Sequence, residues 1–120
     1  MKKVIFLFSL FILLSCKSNL ENVIKEGSFD SCPNQSVETL VNSFFKNPKW
    51  ESFVSPEDDK FHLNASGQIL YGNKKVNALI QFEIINEDRW QINAFEINGE
   101  PQDDYMIEEL IAEMCEESSK

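Results

Sequence analysis

The chain has 120 residues, with 20 acidic side chains against 11 basic ones and a net charge of −9. That length holds one domain with a modest core. A surface this acidic repels phosphate backbones and anionic headgroups, which argues against nucleic acid as a partner.

Lys2 and Lys3 precede an apolar run, Val4 to Leu14, broken only by Ser9. As a helix this run would reach roughly 16 Å at about 1.5 Å per residue, against a hydrocarbon core of about 30 Å. The pattern predicts a signal peptide over residues 1–15 rather than a membrane span. Leu13-Leu14-Ser15-Cys16 resembles the lipobox of bacterial lipoproteins, with a leucine three before the cysteine and a small residue just before it. Leu14 is bulkier than the usual occupant of its position. The resemblance implies that Cys16 receives a diacylglyceryl thioether, carries palmitate-type chains and begins the mature protein in the bacterial cell envelope. The alternative is a plain signal peptide that precedes a cysteine. Two acyl chains hold a protein stably on a bilayer, whereas one does so only marginally. Losing Lys2 and Lys3 from the 11 basic residues would take the net charge from −9 to about −11.

Three cysteines are an odd number for an exported chain. With Cys16 lipidated, Cys32 and Cys115 remain, and only one pairing is possible. Export removes them from the reducing cytosol, where a disulfide would not persist. Such a bridge would close a loop of about 84 residues and constrain the unfolded chain by on the order of 4.5 kcal/mol. A reduced buried pair is the alternative.

Lys17 to Glu26 lacks a strong period, so residues 16–26 read as a lipidated tether of roughly 20 Å reach. The folded domain is expected over 27–117, with 118–120 as a tail. Ser36 is a plausible N-cap. Val37, Leu40, Val41, Phe44 and Phe45 then fall on one helical face. Asn47-Pro48 stops that helix, because the residue before a proline is pushed out of the α region. "KWESFVS" (49–55) reads as a short strand and "PEDD" (56–59) as a turn. Phe61, Leu63, Ala65, Gly67, Ile69 and Tyr71 alternate along a long strand, with Gly67 suggesting a bulge or strong twist. "GNK" (72–74) turns the chain, and Val76, Ala78, Ile80, Phe82 and Ile84 alternate again. After "NED" (86–88) come Trp90, Ile92 and Ala94, then a slip by one to Phe95 and Ile97. "INGEPQDD" (97–104) reads as a turn. Asp103 or Asp104 caps a closing helix with Met106, Ile107, Leu110, Ile111 and Met114 on its apolar stripe. The expected fold class is α+β: a four-stranded antiparallel meander with an N-terminal and a C-terminal helix on one face.

The sheet face away from the helices is then polar. It offers His62, Asn64, Ser66 and Gln68, then Asn77, Gln81 and Glu83, then Gln91 and Asn93. Amides both donate and accept, which suits a glycan, a peptide or the polar surface of an envelope protein. The plainer alternative is that exposed strands carry polar residues and bind nothing. Catalytic patterns are missing from the sequence. One histidine cannot supply a histidine cluster for zinc, and no Cys-x-x-Cys occurs. "SPEDD" lacks the spaced oxygens and central glycine of a calcium loop. His62 reads as a polar strand residue, Trp50 and Trp90 as core. No cofactor, metal ligand or catalytic residue is assigned.

"NPKWESF" (47–53), "ALIQFEI" (78–84) and "INAFEINGEPQ" (92–102) together resemble a small bacterial domain. It recurs in lipoproteins and in membrane-linked or zinc-ribbon-bearing proteins of unassigned function. The resemblance covers roughly residues 25 to 115, and it implies no enzyme activity. The leading expectation is a non-catalytic envelope lipoprotein that binds a macromolecule. A second is an inhibitor of a basic cell-wall hydrolase such as lysozyme, on the charge and "SGQILY" (66–71). An enzyme is a third.

Overall fold

A computed structural model describes residues 19–120. The expected signal peptide, the expected lipidation of Cys16 and the start of the expected tether lie outside the described residues. Residues 19–25 form a helix, α1. It is followed by α2 (Val37–Phe44), the strands β1 (Lys46–Val54), β2 (Phe61–Tyr71), β3 (Lys74–Asn86), β4 (Arg89–Ile97) and β5 (Glu100–Pro101), and α3 (Asp104–Ser118). The strands pair antiparallel in chain order as one sheet. The fold is thus the expected α+β meander, but with five strands and three helices among the described residues.

Both extra elements have a physical cause. In α1, Leu20, Val23 and Ile24 share one face, and Ile24 is fully buried in the domain core. The segment read as part of a tether is therefore part of the fold. Lys25 reinforces it, with Nζ 2.7 Å from Glu21 and 5.0 Å from the Trp50 ring centroid. The fifth strand follows from Asn98 and Gly99, whose φ angles of 52° and 81° make a two-residue hairpin turn. That turn folds Glu100 back onto Ile97.

The two helix caps act as expected. The Ser36 hydroxyl accepts from the Thr39 amide at 3.1 Å, and Asp103 Oδ1 accepts from the Met106 amide at 3.0 Å. Each satisfies an amide that the helix leaves without a partner. Phe45 already turns extended, so α2 ends ahead of the expected Asn47-Pro48 stop, and those two residues belong to β1, which begins before the expected position 49. The register of β1 against β2 then slips between Lys46 and Lys49, around Asn47, whose φ is 54°. β2 itself pairs with β3 without interruption through Gly67, so the bulge suggested there does not occur in that pairing. The glycine serves a close approach, since the α2–β1 corner passes directly over it. In β4 the slip lies at Asn93: Ala94 opposes Gln81 while Ile92 opposes Phe82. The bulge comes before Ala94, so Ala94 shares the open face with Gln81 instead of the core.

The core lies between the helices and one sheet face. It is built from Val37, Leu40 and Val41 of α2, Leu110 and Met114 of α3, and the inward residues of β2 and β3, such as Leu63, Ile80 and Phe82. Trp50, Phe82, Trp90 and Phe29 run across it as successive ring contacts of 5.6–6.4 Å. Cys32 and Cys115 pack against this core at disulfide distance, with Cα atoms 5.8 Å apart. They join the approach to α2 with the end of α3. Among the described residues no helix is long and apolar enough to cross a membrane.

Candidate functional site

With the helices on one face, the opposite face of the sheet carries the polar residues that the alternation placed there. Register brings them side by side: Glu51, Asn64 and Gln81 lie opposite one another across β1 to β3, and Gln68 lies opposite Asn77. Asn93 Nδ2 donates to Gln81 Oε1 at 2.7 Å, and Gln91 Nε2 to Glu83 Oε1 at 3.4 Å. Gln68, Asn77, Gln91 and Asn93 are exposed; Asn64, Ser66 and Gln81 are half-buried.

The two ends of this face differ. At one, Lys46, Lys49, Ser66, Gln68, Asn77, Leu79 and Glu96 border a shallow depression of about 490 Å³. Two lysines here stand out on a chain so acidic. Lys49 Nζ lies 3.3 Å from Glu51. Its lining mixes amides and a hydroxyl with Ala78, Leu79 and two glycines, so polar groups that can hydrogen-bond in both directions stand around an apolar surface.

At the other end, His62 departs from the expectation of an exposed polar residue. Its ring stacks on Phe53, its partner in β1, with centroids 5.1 Å apart and planes 9° apart. The turn between β1 and β2 folds beside it. The Ser55 amide donates to the Lys60 carbonyl, and the Asp59 amide to the Ser55 carbonyl. Asp58 Oδ1 accepts from the Lys60 amide at 3.0 Å, the local bond that lets an aspartate shape a turn. That amide hydrogen bond holds the Asp58 carboxyl below its usual range. In the register of β2 and β3, His62 opposes Glu83, which is also buried. Lys60 Nζ lies 3.3 Å from Glu83 Oε1.

The result is a buried imidazole facing two carboxylates without touching either. His62 Nε2 is 3.7 Å from Asp58 Oδ1 and 4.0 Å from Glu83 Oε2. Neither ring nitrogen has a hydrogen-bond partner among the described residues, and the same holds for the buried Asn64 Oδ1. All three orphaned atoms belong to the open side of β2. Leaving such a group unpaired costs about 1–3 kcal/mol, so a cluster of them marks a place that something else completes.

All nine polar residues expected on this face are found on it, with His62 and Glu83 buried rather than exposed. Sequence reasoning placed Glu83 there without pairing it to His62, and it read Asp58 only as part of a turn. The missed signal is the length of the β2–β3 turn. Taken as the two residues Gly72 and Asn73, both with positive φ, it sets Tyr71 opposite Lys74 and hence His62 opposite Glu83. A three-residue turn over "GNK" would instead set His62 opposite Ile84. No family model, curated protein or solved structure matches this chain, so what the site can do is argued from its geometry.

Proposed function

We propose that the chain is a lipid-anchored protein of the bacterial envelope whose domain binds a polar partner, a glycan or an envelope protein, through the open face of its sheet. It acts by binding, without catalysis. One observation carries the reading: amides and a hydroxyl from β2, β3 and β4 gather on the face that none of the described helices covers, beside the depression bordered by Lys46 and Lys49. The lipobox of Leu13 to Cys16 supports the anchor, and export supports an oxidised Cys32–Cys115 pair.

Photo-crosslinking side chains installed in living cells test the binding face. Positions 68, 77 and 91 are expected to yield a common adduct, while positions 108 and 117 on α3 yield none. Equal labelling from both sides, or none from the sheet, overturns the reading. The anchor is tested separately. Labelled palmitate should enter the wild-type protein and not Cys16→Ser, and a serine variant that still takes up label removes the lipid from the proposal.

A further inference from the structure

The unpaired imidazole of His62 raises a question that partner binding does not answer. Its side chain is 5% exposed and that of Glu83 8%. A buried histidine ordinarily donates or accepts within about 3.2 Å. Here Nε2 points between two carboxylates at 3.7 and 4.0 Å, too far for a hydrogen bond to either. The imidazole and both carboxylates each offer an atom, and these three atoms all lie within 4.8 Å of one another.

We propose that Asp58, His62 and Glu83 bind one divalent ion of the zinc class, with the remaining coordination positions filled by water. Zinc bonds of about 2.0–2.2 Å to nitrogen and carboxylate oxygen set neighbouring ligand atoms roughly 3.0–3.5 Å apart. The observed gaps exceed this by only a few tenths of an ångström at the two measured contacts. Asp58 can close the difference, because its side chain is 44% exposed and sits on a turn. Glu83 can serve while keeping its other bonds, since Lys60 and Gln91 use Oε1 and leave Oε2 facing the histidine. Phe53 holds the imidazole plane from the β1 side.

The donor set selects the metal. One imidazole nitrogen and two carboxylates suit zinc and its first-row neighbours, whereas calcium and magnesium take oxygen ligands almost throughout. The site departs from common practice in one respect. A metal-bound histidine usually donates its other nitrogen to a carboxylate or carbonyl, and Nδ1 of His62 has no such partner among the described residues. Stacking on Phe53 takes over the orientation, and binding should be correspondingly modest. The ion would fasten the β1–β2 turn to the β2–β3 hairpin, whichever partner the rest of the face receives.

The test uses the full chain, purified in detergent, oxidised and stripped of metal. Calorimetric titration with zinc is expected to show one ion per chain. Asp58→Asn and Glu83→Gln should each weaken it at least about tenfold, since even an outer partner of a metal ligand is worth that much. Glu108→Gln, on the exposed side of α3, should leave it unchanged. The His62 Nε2 resonance should move with zinc in the wild type, and millimolar calcium should not displace the ion. Asp58→Asn alters an exposed side chain, so its circular dichroism and melting should confirm that the variant is folded. Absence of stoichiometric binding, binding intact in both variants, an unmoved His62 resonance, or displacement by calcium would each overturn the site. In the first of those cases the three residues are a polar cluster with no metal.

Discussion

A methyl group at position 67 would stand 2.9 Å from the Lys46 carbonyl oxygen and 3.1 Å from Phe45 Cβ. Main chain cannot swing aside as the tip of a long side chain would. Gly67→Ala is therefore expected to cost about 1–3 kcal/mol, the usual penalty for overpacking. Urea denaturation measures it, and an unchanged midpoint would mean that the α2–β1 corner yields. Tyr105 offers a titration at the same scale. The Glu109 carboxylate beside its hydroxyl holds the phenol above its ordinary value, by hydrogen bonding first and charge second. The folded chain thus keeps this proton more tightly than the unfolded one. Its contribution to stability is complete below the unfolded phenol's range, about 10, and fades as pH rises through the folded value. In an ultraviolet titration, Glu109→Gln should move one tyrosine's ionisation to lower pH. If neither tyrosine moves, the contact with Glu109 is absent in solution.

At the scale of elements, α1 separates a folded segment from a flexible one. Ile24→Ala removes a fully buried side chain and should cost about 2–5 kcal/mol; in a flexible tether the same change would cost nothing measurable. Guanidinium unfolding followed by tryptophan fluorescence decides between the two. The sequence concealed α1 because Leu20, Val23 and Ile24 mark barely two turns, among charged neighbours that dilute the period. By contrast, α2 was legible from five apolar residues on one face and a serine cap, and the three long strands from alternation alone. The slip in β4 was visible too, but pattern could not say that Asn93 rather than a later residue is the extra one. Its position depends on how Gln81 and Phe82 pair across the sheet. The His62 cluster was hidden for a related reason. Asp58 and Glu83 are distant in sequence, and only a turn of known length sets one strand against the other.

For the molecule as a whole, Cys32 and Cys115 join the approach to α2 with the closing helix, 83 positions apart. Opening an oxidised bridge of that span should lower stability by on the order of 4.5 kcal/mol in the chain-entropy account. Cys32→Ser with Cys115→Ser, compared with the wild type in urea, measures it. A double variant as stable as the parent would show that packing alone holds α3 in place. That these two cysteines lie at disulfide distance was legible from parity, on the expectation that Cys16 carries lipid, whereas the docking of α1 was not. The early onset of α1 bears on how the protein would sit in the envelope. By residue 19 the chain is already helical, and Ile24 is locked into the body. If Cys16 holds the acyl chains, the fold starts on the order of 10 Å from the anchoring sulfur, allowing about 3.6 Å per residue. A mooring that short would give the domain little freedom to tumble or roam. It would ride against the lipid headgroups, and whatever it captures would have to come down to that layer.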